Sequence, residues 1–162
     1  MNLQLRPWQQ QALQKAIAWM VQKRVDRHFL INAAPGAGKT LAACAIAQTL
    51  IELGEIERVI VVAPRSEIVS QWADDFRRVS GRHMGKVTAR DGDIGELGID
   101  VCATWAAIQG LQPELQAVCR AARVLVICDE HHHAAIEAAW GDSADSAFTD
   151  ASFVLVLSGT PI

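Results

Sequence analysis

Two short stretches of this chain hold the residue types that phosphate chemistry requires. The first is Ala33-Ala34-Pro35-Gly36-Ala37-Gly38-Lys39-Thr40, small residues followed by a lysine and a hydroxyl. Small residues let a backbone wrap an anion so that successive N–H groups point at it, and a helix opening at the end of the loop adds its positive pole. In such a phosphate loop Lys39 reaches the β- and γ-phosphates of a nucleotide and the Thr40 hydroxyl is a ligand for Mg²⁺. The strict pattern has glycine where Ala33 stands, and the alternative is an ordinary Gly-rich turn with an incidental lysine. The second stretch, Val124-Leu125-Val126-Ile127-Cys128-Asp129-Glu130, is an apolar run that ends in two carboxylates. A nucleotide hydrolase needs one carboxylate to hold hydrated magnesium and another to orient or deprotonate the attacking water. Asp129 takes the first role and Glu130 the second, although a lone Asp-Glu pair is as a rule solvated loop charge.

His131-His132-His133 follows directly. Consecutive imidazoles cannot all converge on one ion, and no cysteine or acid at zinc spacing lies near, so a polar network beside the γ-phosphate is preferred to a metal centre.

The elements that must position these groups alternate between two periods. Apolar residues recur at helical spacing from Pro7 to about Asp26 (Trp8, Leu13, Ile17, Met20, Val21, Val25), with Pro7 suited to a first helical turn. Phe29-Leu30-Ile31 reads as a short strand before the Gly-rich loop, and a helix follows from about 39 to 53, stopped by Gly54. Further strands are predicted at 58–63, 85–88, 99–103, 123–128 and 153–158, with a helix at about 66–79 and helical stretches between the later strands. Continuously apolar strands alternating with helices require a parallel sheet covered on both faces, which gives an α/β, doubly wound fold. Arg90-Asp91-Gly92-Asp93-Ile94-Gly95 reads as an exposed turn or hairpin.

The composition sets outer bounds. The 162 residues are 51% apolar and 20% charged, with 15 Lys+Arg against 18 Asp+Glu for a net charge of −3. That describes one globular domain over residues 1–162, of a size that buries roughly 68–70% of the surface its unfolded chain exposes and needs no disulfide. No run approaches the ~18 apolar residues of a membrane span, and Asn2, Gln4 and Arg6 spoil a signal peptide, which points to the cytoplasm and to no membrane partner. Cys44, Cys102, Cys119 and Cys128 lie far apart within apolar patterns and read as reduced core residues. A pI of 5.9 excludes a protein that is basic all over but not a local basic stripe.

Taken together, Leu5-Arg6-Pro7-Trp8-Gln9, Ala34–Thr40, Val62-Ala63-Pro64-Arg65, Asp129-Glu130-His131-His132 and Ser158-Gly159-Thr160-Pro161 stand in the order and spacing of superfamily 2 DExH-box helicases. The whole chain resembles the first of the two RecA-like domains of such enzymes, most closely in DNA repair and restriction-type helicases and translocases. The resemblance implies a P-loop NTPase domain that binds ATP through Pro35, Gly36, Ala37, Gly38, Lys39 and Thr40, with Gln9 reading the adenine edge and Arg6 lying over the base. It implies that Pro64, Arg65 and Thr104 touch a nucleic-acid backbone, and that His132, Ser158 and Thr160 couple hydrolysis to strand movement. The partner is then single-stranded or duplex nucleic acid, DNA before RNA. Each has a plainer counterpart: Pro64-Arg65 as strand-to-helix punctuation, Trp105 as core, Ser158-Gly159-Thr160 as a turn. The alternative for the whole is a nucleotide-dependent switch that does not translocate. In RecA-like sheets the 153–158 strand inserts between the 28–33 and 123–128 strands. A second RecA-like domain supplies the arginine finger in this family, an element worth about 10³–10⁵ in rate, so residues 1–162 alone are expected to be nearly inactive.

Overall fold

The computed structural model describes residues 4–33, 38–88, 100–129 and 150–159. Its strands are β1 (His28–Asn32), β2 (Arg58–Ala63), β3 (Met84–Val87), β4 (Asp100–Thr104), β5 (Val124–Cys128) and β6 (Phe153–Ser158). They form one sheet in the order β1-β6-β5-β2-β4-β3, and every pairing is parallel. The helices are α1 (Pro7–Ile17), α2 (Lys39–Glu52), α3 (Ser66–Ser80), α4 (Trp105–Gln109) and α5 (Gln112–Ala121).

The period of two along each strand explains the unbroken apolar runs. Val59, Val61, Leu125, Ile127, Leu155 and Leu157 pack into one layer with α1, α2 and α3. Their sequence neighbours Ile60, Val62, Val126 and Val154 enter a second layer with α4 and α5. A strand buried on both faces cannot alternate apolar with polar. Strand β6 pairs with β1 through Leu30↔Val156 and with β5 through Ile127↔Leu155. That is the insertion expected from the RecA-like pattern.

One expected element is shorter. The helix predicted from 7 to about 26 ends at Gln22, and its last turn, Ala18–Gln22, is a wider π-helical turn closed by Lys23 N–H on Ala18 O at 2.8 Å. With this turn Met20 joins Ile17 in the core, while the Trp19 indole N–H donates to His28 O at 3.0 Å. Arg24, at φ +46°, then turns the chain out of helix, and Val25, the last apolar residue of the pattern, is exposed. Strands β3 and β4 lie one residue from their predicted bounds.

All four cysteines are free and buried. Burial pushes the Cys44 thiol up to about 12 and that of Cys119 to about 11, which suits small apolar core groups. At the amino ends of the strands, Asp100 is buried, and its Oδ1 accepts from Val59 N–H at 2.9 Å. Arg82 closes over the same carboxylate, with Nε 2.8 Å from Oδ2 and Nη2 3.1 Å from Oδ1. This ties β2, β4 and the approach to β3 together at the pole opposite the phosphate loop. No helix among the described residues is long and apolar enough to cross a membrane.

Candidate nucleotide site at the carboxyl pole

Because every strand of the sheet runs the same way, the residues that follow β1, β2, β4, β5 and β6 emerge at one crest. Ligands of open α/β sheets gather outside these carboxyl ends. Ala33 continues β1 by donating its N–H to Ser158 O at 3.0 Å, and Gly38 is the N-cap of α2. Gly38 has φ +90°, a conformation glycine adopts without the steric penalty of a Cβ. Lys39 and Thr40 then form the first turn of α2, the strand–loop–helix context that a phosphate loop requires. Pro35, Gly36 and Ala37 lie outside the described residues, as do Glu130, His132 and Thr160.

Asp129 sits one residue past β5, where its N–H donates to Val62 O at 2.9 Å and so extends the ladder toward β2. Its Oδ1 is 3.7 Å from Lys39 Nζ, and both side chains are largely buried. Its Oδ2 accepts from the Trp72 indole N–H at 2.7 Å. The lysine of the loop and the carboxylate of the acidic strand, 90 positions apart, therefore meet at one point. A threonine hydroxyl and a carboxylate are hard oxygen donors, the set that suits Mg²⁺, which keeps most of its waters and takes one or two carboxylates beside phosphates. Thr40 and Asp129 fit that role chemically.

Gln9 is 2% exposed. Its Oε1 accepts from Arg6 N–H at 2.7 Å and its Nε2 donates to Gly38 O at 2.8 Å. These bonds use one of its two N–H groups and one of its two acceptor positions. The residue that the resemblance assigns to adenine clamps the start of α1 to Gly38. The exposed Arg6 is the N-cap of α1.

Arg65 is exposed and extended (φ −147°, ψ 156°) as N-cap of α3, with Pro64 half-buried before it. Thr104, paired with Ala63 across β2–β4, is buried, and its hydroxyl oxygen accepts from Ala107 N–H at 3.2 Å to cap α4. Pro64 and Arg65 are the more exposed residues at this end of the crest, and the Thr104 O–H is a donor that the bond from Ala107 does not use. Ser158 is buried beside Asn32 at the end of β6. Trp105 is half-buried against the second core layer.

Sequence reasoning did not single out Trp72. A signal was present, since a tryptophan on the apolar face of an amphipathic helix buries an N–H that must find an acceptor.

Gly38 offers a direct check. A Cβ at this position would lie 2.5 Å from Gln9 Nε2, the atom that bonds Gly38 O. Gly38→Ala combines that clash with a left-handed backbone costing an L-residue roughly 1–2 kcal/mol. The expected outcome is a lower urea midpoint together with weaker nucleotide binding, whereas Gly54→Ala, also at positive φ but with open space around its Cβ position, shows only the stability loss.

Residues 2–162 match the family described as the type III restriction enzyme, res subunit. An uncharacterized protein of Mycobacterium tuberculosis is 34% identical over 161 residues, which cover 99% of this chain and 26% of that protein. The ATP-dependent RNA helicase DHX58 of Mus musculus is 33% identical over 93 residues, 57% of this chain and 12% of its own length. The Sulfolobus solfataricus SWI2/SNF2 ATPase core, solved in complex with dsDNA, superposes with a TM-score of 0.73 at 16% identity, covering 99% of this chain and 33% of that one. The chain spans about a quarter of the length of the mycobacterial relatives it matches, 26% in each case.

Proposed function

Because this chain belongs to the family of the type III restriction enzyme res subunit and is a RecA-like, helicase-type ATP-binding domain of superfamily 2, we propose that it is the first motor domain of an ATP-dependent translocase or helicase acting on DNA. The observation that carries this reading is the 3.7 Å approach of Lys39 Nζ to Asp129 Oδ1 at the crest of the sheet.

Lys39 and the backbone N–H groups of 36–40 hold the triphosphate, and Gln9 turns its remaining amide N–H and acceptor to the adenine edge beside Arg6. Thr40 and Asp129 hold Mg²⁺, which when bound supplies charge neutralisation at the β- and γ-phosphates. Glu130 takes the proton of the attacking water. A second RecA-like domain closes the cleft with an arginine finger, which is why the isolated domain is expected to turn over ATP hardly at all. Pro64, Arg65 and Thr104 grip the phosphate backbone, and the Thr104 oxygen also caps α4. Ser158, Thr160 and His132 relay the state of the γ-phosphate to that grip.

A grip on phosphates is indifferent to base sequence and weakens with salt. DNA is favoured because the match to the restriction-enzyme family spans the chain, whereas the match to an RNA helicase covers 57% of it. The test is ATP hydrolysis by the full-length protein with and without added polymer. Stimulation by DNA that declines between 50 and 200 mM salt is expected. Stimulation by RNA alone redirects the motor to RNA, and indifference to both polymers overturns the motor in favour of a nucleotide switch.

A further inference from the structure

Trp72 lies on α3, roughly two turns beyond Arg65 at 1.5 Å per residue. It is 1% exposed, and its indole N–H meets Asp129 Oδ2 at 2.7 Å, a short distance for a neutral donor on a carboxylate. Packing alone does not require this residue: Phe76, one turn along the same helix, fills the same layer equally buried without a polar atom. What tryptophan adds is one donor aimed at one carboxylate oxygen.

The charge of that donor matters. An arginine or lysine in its place would orient Asp129 equally well but would add a cation beside Lys39 and compete with a divalent ion for the carboxylate. A neutral N–H fixes the carboxylate plane and leaves its negative charge in place. With Oδ2 held by the indole, Oδ1 is the oxygen turned toward Lys39. Groups that hydrogen-bond a metal ligand from behind set its orientation, and their loss costs about 10–100-fold in metal affinity or activity. We propose that Trp72 is a positioning residue that holds the Asp129 carboxylate in the orientation needed to receive Mg²⁺, and so ties magnesium binding to the seating of α3 on the sheet. This rests on the assignment of Asp129 as the magnesium carboxylate.

The experiment compares wild type and Trp72→Phe in the full-length protein, with a fluorescent ATP analogue as probe, across a Mg²⁺ titration that runs from EDTA to excess Mg²⁺. Trp72→Phe is expected to raise by about 10–100-fold the Mg²⁺ concentration that half-saturates the effect on nucleotide affinity. Its affinity in EDTA should match wild type, a split that a general packing defect would not produce. If wild type responds to Mg²⁺ and Trp72→Phe responds with the same half-saturating concentration, the inference fails and the assignment of Asp129 stands. If wild-type affinity is the same with and without Mg²⁺, the assignment of Asp129 fails and takes the inference with it.

A second measurement covers the case in which the Phe variant does not fold. In ¹⁵N-indole-labelled protein without nucleotide or metal, Asp129→Ala is expected to move the Trp72 Nε1–H resonance upfield while that of Trp19, bonded to His28 O, holds its place. A Trp72 resonance unmoved by Asp129→Ala overturns the proposal.

Discussion

Replacing Lys39 by alanine in the full-length protein is expected to lower ATP turnover by about 10²–10³-fold, the cost of removing one preorganised electrostatic contact from a water-poor site, and to weaken ATP binding with it. The lysine Nζ is held near the crest of the sheet with little solvent contact, 3.7 Å from Asp129 Oδ1. An ammonium already largely desolvated before the nucleotide arrives has less water to shed when the phosphates bind, which is where its advantage over a surface lysine lies. Lys39→Arg keeps the charge but spreads it over a planar fork that a loop fitted to a point charge does not accommodate. Recovery by arginine is therefore expected to be slight. Steady-state hydrolysis and equilibrium binding of ATP check both variants, and unimpaired turnover in Lys39→Ala removes the phosphate loop from the mechanism.

Glu130→Gln is the counterpart, because it should separate what Lys39→Ala removes together. Glutamine keeps the shape of the side chain but cannot take a proton from water. Loss of a general base costs typically 10²–10⁴-fold in rate. Turnover should fall by that amount while ATP affinity stays within about twofold of wild type. Retained turnover would release Glu130 from the role of base. Lost binding would instead show that the residue is part of the nucleotide cradle.

Much of this arrangement could be read before any coordinates, because its signals are local. Val124–Cys128 and Phe153–Ser158 are apolar throughout, as only a strand covered on both faces can be. Gly38 and Gly54 mark backbone positions with positive φ at the two ends of α2, so that helix was bounded by its own residues. Once the strands were assigned, parallel direction alone carried Lys39 and Asp129 to the same crest. What stayed hidden depends on meetings across long sequence separations. Gln9 meets Gly38 across 29 positions and Trp72 meets Asp129 across 57. Nothing in the neighbourhood of either residue specifies its partner. The early end of the first helix is of the same kind. Val25 continues the helical period, and the turn that excludes it is linked to a bond from Trp19 to the carbonyl of His28 nine residues away. Thr104, which the resemblance assigns to a nucleic-acid backbone, also caps the adjacent helix through its hydroxyl oxygen.

The pair formed by Arg82 and Asp100 stands at the far end of the molecule from Lys39 and Asp129. A unidirectional sheet thus divides labour lengthwise, with the reagents at one tip and an internal rivet at the other. A lesion at the rivet is expected to loosen the domain as a whole while leaving the side chains of the crest unchanged in kind. For the experimenter the same division supplies a calibration: lesions at the rivet reveal how activity declines through unfolding alone, and any steeper decline belongs to the crest.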